Sequence, residues 1–430
     1  MSQDQDRAKY QAIVARTEKA RDFPVKEESL ARFCAAFTEL KRRGLSTETG
    51  SVILVAGTNG KGSVAKTLEF LLAKTDLSVG LYTSPHMIEP TERIRSWGSD
   101  LTAQEFVWVF EFLEGLISDF ALSHFEILTL MMAEVFFGGR IRPLVKRAVL
   151  EVGIGGRLDP TALIPHQTSV LTQLGLDHVE LLGGSLAAIA REKLAIVDVG
   201  NLVVHAPFPE EIRSASQQTI DLRAAQRIEA SSFPYRVDHS HSKPKWIIQT
   251  PWGEAELGLL GARAVANTSI ALRVISAQGF EVQPLLAALK MISWPCRMES
   301  FEVAGCRVYL SGDHNPQGVE TLNEILREFE YDFVHVIIGI GKNKEQAHMF
   351  EKFAQLPRAK LYLTTTPFRS ADLADYGELL KRVEFANSDP IEIFRKVLKR
   401  CGPRDMILIS GSLYLTGFFR GHLTQAVIQP

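Results

Sequence analysis

The chain has 430 residues, of which 46% are hydrophobic and 23% are charged, a composition that is ordinary for globular proteins. It excludes disorder, collagen and coiled coil as the main architecture, and the length allows about two or three domains. Forty-eight basic and fifty acidic residues give a net charge of −2. Such a chain has no charge excess for wrapping a nucleic acid or coating a membrane, so we expect neither partner.

The cysteines and the N-terminus indicate the cellular compartment. Four cysteines lie far apart along the chain, at Cys34, Cys296, Cys306 and Cys401. They form no CxxC pair and no disulfide framework, which is typical of a reducing cytosol. The first residues, MSQDQDRAKYQ, are polar and unlike a signal peptide, and no apolar run approaches the ~20 residues of a membrane span. We therefore expect a cytoplasmic protein.

Helix and strand patterns alternate through the first half of the chain. The predicted strands are SVILVAG (51–57), SVGLYT (78–83), RAVLEVGIGG (147–156), TSVLTQL (168–174) and NLVVHA (201–206). The predicted helices cover 29–43, 62–74, 103–120, 125–137 and 185–197. This alternation predicts βαβ units and a parallel sheet.

A second, smaller α/β pattern follows a polar, irregular stretch at 207–258 and a helix at 265–278. Its predicted strands are CRVYLSG (306–312), FVHVIIGIG (333–341), KLYLTTT (360–366) and DMILISGS (405–412). Predicted helices over 316–329, 345–353 and 390–400 separate them. We predict one domain over 1–296 and another over 297–430.

A glycine-rich loop connects the first of these strands to the next helix. It consists of Gly57, Thr58, Asn59, Gly60, Lys61, Gly62 and Ser63. Glycines let backbone amides converge on phosphate oxygens, the lysine neutralises charge, and a serine hydroxyl can bind Mg²⁺. An extra glycine before the serine departs from the standard GxxxxGK[ST] string. A plain glycine-rich turn is the alternative, but the strand–loop–helix context favours nucleotide binding.

Other polar residues follow predicted strands, where open α/β sheets place their sites. Glu151 ends the third strand and could bind Mg²⁺. Ser84 and His86 end the second strand, His178 follows the fourth, and Lys193 lies within a predicted helix. Each also has an ordinary explanation. Glu151 could be an acidic turn residue, and Ser84 and His86 could form a polar turn. His178 could be a surface or capping histidine, and Lys193 a solvated lysine.

Taken together, the motifs resemble those of the folylpolyglutamate synthase/dihydrofolate synthase family of the Mur ligase superfamily. The matching strings, over about residues 50–420, are GTNGKGS, TSPH, LEVGIGGRLDPT, LDHVELLG, REKLAIV, WPCR, HNP and GSLYL. The resemblance implies an α/β fold: a P-loop-containing parallel-sheet ATPase domain with an N-terminal helical segment, and a smaller Rossmann-like glutamate-ligase domain. It also implies a monomer whose two domains close over ATP.

The resemblance further implies a reaction in folate biosynthesis and one-carbon metabolism. ATP would phosphorylate the carboxylate of dihydropteroate or of a (poly)glutamylated folate, and L-glutamate would attack the acyl phosphate. Two Mg²⁺ ions would accompany ATP. We expect both synthase activities on this one chain.

The same resemblance assigns roles to single residues. The ATP-binding set comprises the glycine-rich loop together with Asn267, Arg297, Ser311, Asp313 and His314. The metal ligands are Ser63, Ser84, Glu151 and His178. The catalytic set is Lys61, Glu151, His178, Lys193 and His314. Of these, Lys193 matches a lysine that such enzymes carbamylate. The pterin or folate would lie near Phe125, Glu126, Leu158, Asp159 and Pro160.

Two other functions are considered. The chain could be a P-loop NTPase or phosphotransferase of another class, although that hypothesis gives Arg297 and His314 no role. It could also be a diverged paralogue that binds nucleotide or a pterin without ligation. The hypothesis of a diverged paralogue depends on one departure from the family. Ser311 stands where a ribose-contacting aspartate is usual, and the aspartate, Asp313, lies two positions later.

Overall fold

The computed structural model describes residues 3–20, 27–47, 51–240, 243–342, 346–367 and 370–428. These residues form two compact units. The first contains the described residues of Met1–Ser232 and Ala266–Leu285, and the second contains those of Phe233–Val265 and Leu286–Pro430. The described residues of 233–265 and 286–296, which we assigned to a first domain over 1–296, are thus grouped with the second unit. The domain boundary itself stays a prediction.

The first unit is built on an eight-stranded sheet. Its strands are β1 Ser51–Ala56, β2 Val79–Tyr82, β3 Ile94–Ser96, β4 Ser99–Asp100, β5 Arg147–Glu151, β6 Thr168–Leu171, β7 Leu202–His205 and β8 Gln226–Glu229. Their order in space is β4-β3-β2-β5-β1-β6-β7-β8. The six strands from β2 to β8 in this order are parallel, whereas β3 and β4 are antiparallel. The central strands are almost wholly buried and mostly apolar, as expected where helices cover both faces.

The register of the sheet brings four loops to one edge. Val55 in β1 pairs with Glu151 in β5, and Ala56 pairs with Leu171 in β6. Tyr82 in β2 pairs with Leu150. The carboxyl ends of β1, β2, β5 and β6 therefore meet at the edge where open α/β sheets bind their ligands.

Helices pack against this sheet around a large hydrophobic core. They are α1 Gln3–Lys19, α2 Glu27–Arg42, α3 Lys61–Ala73, α4 Ala103–Asp119, α5 His124–Phe137, α6 Val179–Leu182, α7 Leu186–Leu194 and α8 Glu210–Asp221. A ninth helix, α9 Ala262–Ala277, contains one of the points at which the chain passes between units. Thr102 and Glu105 form a reciprocal capping box that begins α4, because each side chain bonds the other's backbone amide.

The second unit contains two sheets. A three-stranded antiparallel sheet has the order β11-β10-β9, and a six-stranded sheet has the order β12-β13-β17-β14-β15-β16. The strands of the smaller sheet are β9 Tyr235–Asp238, β10 Lys245–Thr250 and β11 Gly253–Glu256. Those of the larger sheet are β12 Arg297–Val303, β13 Cys306–Ser311, β14 Val334–Ile338, β15 Ala359–Leu363, β16 Phe385–Ala386 and β17 Met406–Ser410. All neighbours in the larger sheet are parallel except β12 and β13.

The helices of the second unit are α10 Pro316–Arg327, α11 Gln346–Ala354, α12 Pro390–Leu398 and α13 Leu413–Ile428. Short 3₁₀ segments in the chain are Pro90–Arg93, Pro160–Leu163, Gln283–Met291 and Leu373–Arg382. Residue 345, where we predicted a helix to begin, lies outside the described residues. The predicted fold class, a large parallel-sheet α/β unit followed by a smaller one, is confirmed. None of the described helices is long and apolar enough to cross a membrane.

Candidate active site

The glycine-rich loop leaves β1 and becomes the first turn of α3, as predicted. Gly57 has φ +147° and Gly60 has φ +91°, conformations that residues with side chains rarely adopt. A Cβ at Gly60 would come within 2.3 Å of Oδ1 of Asn267, so this buried asparagine lies against the loop. The first amides of a helix lack partners within the helix and carry its positive dipole end. The first turn of α3 therefore offers an anion site.

Two loop amides are engaged elsewhere. The backbone N–H groups of Thr58 and Asn59 both donate to the carbonyl of Gln173, over 2.9 and 3.4 Å. The Thr58 hydroxyl donates to the carbonyl of Gly175 over 2.9 Å. The segment after β6 is thus joined to the loop, and the amides of Lys61, Gly62 and Ser63 remain the better placed ones for phosphate.

Two lysines meet at a single carbonyl of the loop. Nζ of Lys61 donates to the carbonyl of Gly57 over 3.2 Å and lies 3.4 Å from that of Thr58. Nζ of Lys193, which is only 4% exposed, donates to the same Gly57 carbonyl over 2.8 Å. Burial, followed by the charge of Lys61, lowers the pKa of Lys193 to about 7. Lys193 is therefore a buried residue of the loop region and not a solvated helix lysine.

Glu151 and Ser84 are also brought together. Oε2 of the buried Glu151 accepts a hydrogen bond from the backbone N–H of Ser84 over 3.0 Å. Two residues after Ser84, Nδ1 of His86 accepts a hydrogen bond from Nε of Arg93 over 3.0 Å. Burial, followed by the charge of Arg93, lowers the pKa of His86 to about 3, so this imidazole is neutral.

His178 is more exposed than Glu151. It occupies the N-cap position of α6 with φ +49°, its side chain is 41% exposed, and Nε2 lies 3.7 Å from Oδ2 of Asp177. Among the residues that the structure describes, no three His, Cys, Asp or Glu side chains converge where they could hold a metal ion. Mg²⁺ commonly takes one or two carboxylates together with substrate phosphates and water. The Glu151 carboxylate fits that donor chemistry, with a nucleotide supplying further oxygens.

Two of the residues predicted near a pterin, Phe125 and Asp159, lie against Gly153. A Cβ at Gly153 would come within 2.7 Å of the ring of Phe125 and 3.1 Å of Oδ2 of Asp159. The buried Asp159 carboxylate accepts from the amides of Gly153 and Ile154 and from the amide and hydroxyl of Thr161. Desolvation by burial raises the pKa of Asp159. These bonds engage the Asp159 carboxylate in shaping the turn, whereas Phe125 packs against the hydrophobic core.

The remaining predicted pterin residues have clear local roles. Glu126 is buried and forms a reciprocal capping box with Ser123, whose amide it accepts over 2.7 Å. Its carboxylate therefore begins α5. Pro160 is buried and opens the short 3₁₀ segment after β5, and Leu158 before it is half-buried.

In the second unit, the predicted residues surround Gly312. Arg297 pairs with Ser311 across β12 and β13, and a Cβ at Gly312 would come within 3.0 Å of the Arg297 guanidinium. Nδ1 of His314 lies 3.0 Å from the Gly312 carbonyl. The Ser311 hydroxyl donates to Oδ2 of Asp313 over 2.7 Å.

Arg263, a residue to which we assigned no role from the sequence, completes this cluster. Its guanidinium donates to Oδ1 of Asp313 over 3.2 Å and to the carbonyls of Gln317 and Gly318 over 3.3 Å each. Both oxygens of the Asp313 carboxylate thus accept hydrogen bonds, one from Ser311 and the other from Arg263. No local pattern marks Arg263, because the contact joins α9 to a turn far along the chain.

Comparisons with known proteins identify the family. Residues 296–413 match the family model described as "Mur ligase, glutamate ligase domain". The dihydrofolate synthase/folylpolyglutamate synthase of Escherichia coli is 31% identical over 312 residues, which cover 71% of each chain. The chain belongs to the folylpolyglutamate synthase/dihydrofolate synthase family.

Other members of this family and their structures agree with the fold. The apo form of the L. casei enzyme abbreviated FPGS has a TM-score of 0.82 and 26% identity, covering 96% of this chain and 99% of that one. A Haloferax volcanii protein named "Probable bifunctional folylpolyglutamate synthase/dihydropteroate synthase" is 29% identical over 422 residues. The match covers 91% of this chain, which spans about half (49%) of that relative's length. The family predicted from the ordered motifs is confirmed, whereas the roles of single residues stay predictions.

Proposed function

We propose that the chain is an ATP-dependent ligase that joins L-glutamate to dihydropteroate and to (poly)glutamylated folates. The carboxylate of the pteroyl substrate would first become an acyl phosphate, and the amino group of glutamate would displace phosphate to form an amide. The observation that carries this proposal is the ammonium of Lys61, which lies on the Gly57 carbonyl at the N-terminal end of α3. In a member of this family, this positive charge beside the first amides of a helix suits the phosphate chain of ATP.

The chemistry of phosphoryl transfer depends on positioning and on cancellation of charge. The amides of the first turn of α3 and the ammonium of Lys61 would hold the phosphates. Glu151, with Ser63, Ser84 and His178, would hold Mg²⁺, which supplies further neutralisation of the phosphate oxygens; two ions are proposed. Asn267, Arg297, Asp313 and His314 would contact the nucleotide, and Phe125 the pterin.

Lys193 would act as a carbamate. The lowered pKa leaves much of the amine neutral near pH 7, and only a neutral amine adds to CO₂, releasing one proton as the carbamate forms. The product is an anion that can accept hydrogen bonds or orient a metal beside the phosphates. A ¹³C NMR signal from protein in labelled bicarbonate, absent from Lys193→Met, would support this step.

One assay distinguishes the proposed function from its alternatives, which are an NTPase and a binding protein. Release of ADP by the purified full chain is measured with ATP, Mg²⁺, a pteroyl acid and L-glutamate, omitting each in turn. We expect turnover only when all are present, and a product heavier by one glutamyl residue. Release without either acceptor would indicate an NTPase, and no release with any acceptor would indicate a binding protein.

The same assay addresses substrate range. Dihydropteroate and tetrahydrofolate, offered separately, test the two synthase activities that we expect on this chain. Mass spectra of the products then give the length of the glutamate chain. A monomer in the cytoplasm remains our prediction, which size-exclusion chromatography and cell fractionation would check.

A further inference from the structure

The hydroxyl of Thr172 is a buried polar group that the proposed function does not use. Thr172 directly follows β6, and its amide donates to the carbonyl of Ala56 at the end of β1 over 2.8 Å. The side chain is 1% exposed, and Oγ1 has no hydrogen-bond partner among the described residues. Most buried hydroxyls are hydrogen-bonded, and an unpaired one lowers stability. This one therefore calls for a physical explanation.

The hydroxyl is aimed at the phosphate loop. A Cβ at Gly57 would come within 1.8 Å of Oγ1 of Thr172, closer than to any other atom. The carbonyl of the same glycine accepts from Lys61 and Lys193. Three polar side chains thus meet at Gly57, two of them donating to its carbonyl and the third donating to no described group.

Thr172 is also joined to the loop through the backbone. The residue that follows it, Gln173, accepts the amides of Thr58 and Asn59. Any adjustment of the loop at Gly57 therefore takes place against a segment that holds Thr172 in position. Such an arrangement suits a side chain that stabilises one conformation of the loop.

We propose that Thr172 is a positioning residue of the phosphate loop, whose hydroxyl hydrogen-bonds the Gly57 peptide group when the loop binds a nucleotide's phosphate chain. Lys61 donates to loop carbonyls in the structure, and phosphate anions attract its ammonium away from them. The Gly57 carbonyl then loses a donor. The Thr172 hydroxyl lies against the same glycine and carries the hydrogen that can replace it. This inference rests on the nucleotide binding of the proposed function.

Two substitutions test it. Thr172→Val keeps the shape of the side chain and removes the hydroxyl, while Thr172→Ser keeps the hydroxyl. Thermal unfolding without nucleotide and calorimetric binding of ADP and of a non-hydrolysable ATP analogue are measured for both and for wild type. We expect Thr172→Val to unfold at or above the wild-type temperature and to bind nucleotide about tenfold more weakly, the effect of one hydrogen bond. Thr172→Ser should bind nearly as wild type does.

The ligase assay supplies a second readout that a purely structural role would not change. We expect Thr172→Val to raise KM for ATP and to leave KM for L-glutamate unchanged. Equal nucleotide affinity of Thr172→Val and wild type would overturn the inference, as would a valine variant that unfolds below wild type. Wild-type protein that binds no nucleotide would overturn the proposed function itself, a result distinct from loss of binding in the variant alone.

Discussion

Replacement of Lys193 by methionine is expected to change how the stability of the first unit depends on pH. Burial and the neighbouring charge of Lys61 lower the pKa of Lys193 from 10.5 to about 7 in the folded protein. The unfolded chain therefore holds this proton more tightly than the folded one. Between the two pKa values the unfolded state binds more protons, so stability rises with pH across that window. Methionine has nearly the same length and no proton to lose.

The size of the effect follows from the two pKa values. Each pKa unit corresponds to about 1.4 kcal/mol, so Lys193 lowers the unfolding free energy by about 4 kcal/mol near pH 7 and about 2 kcal/mol near pH 9. Because the side chain is almost fully buried, solvent screens little of this effect. The advantage of Lys193→Met over wild type should therefore shrink by about 2 kcal/mol from near pH 7 to near pH 9. The lost hydrogen bond to Gly57 shifts the difference by an amount that does not depend on pH.

The measurement must report on the first unit alone and keep Lys193 free of carbamate. Urea unfolding in CO₂-free buffers, with a hydrogen-exchange pulse at fixed pH and mass spectrometry of peptides from β1, β5 and β6, meets both needs. The matched control is Lys19→Met, which removes an exposed lysine at the end of α1. A difference between Lys193→Met and wild type that stays constant over pH would refute a depressed Lys193 pKa.

Three further predictions concern the site. Glu151→Gln should keep the fold and lower the rate of ADP release at least about 100-fold, because it removes the carboxylate proposed to hold Mg²⁺; full activity would contradict the metal assignment. Gly57→Ala should lower the free energy of unfolding by about 1–3 kcal/mol and abolish nucleotide binding, because its Cβ would collide with Thr172. Calorimetry measures both the unfolding and the binding. Glu126→Ala should lower stability by about 1 kcal/mol through loss of the α5 cap, with KM for the pteroyl substrate nearly unchanged. A large rise in that KM would instead favour contact between Glu126 and the pterin.

Much of the fold was predictable because local patterns and tertiary structure agree. The capping box of Thr102 and Glu105 marks the start of α4, and the apolar run before Gly57 marks β1. Helix α8 was missed because only three of its residues are buried, within a polar stretch. Helix α13 was missed because Gly417 and Gly421 interrupt an apolar sequence with no clear face.

The sequence supplied candidate residues for the site, which stay predictions, but it did not supply the contacts that these residues make. A lysine in the middle of a helical pattern looks solvated, and only the folded chain brings Lys193 to Gly57. The partnership of Arg263 with Asp313 likewise depends on distant segments. Glu126 is the opposite case: Ser-x-x-Glu at Ser123 is a capping-box pattern that our prediction did not use, because the resemblance assigned Glu126 to the pterin site.

Under the proposed function, the anionic substrates need basic groups at only one point of a near-neutral chain, where the amines of Lys61 and Lys193 meet at the Gly57 carbonyl. Two amines on one buried carbonyl repel each other, and burial disfavours the charged form of Lys193. A phosphate anion or a carbamate at this point would relieve that repulsion, so the same electrostatics that lower stability favour ligand binding. Lys193→Met is therefore expected to stabilise the protein and to inactivate it, the combination typical of residues retained for function at the expense of stability.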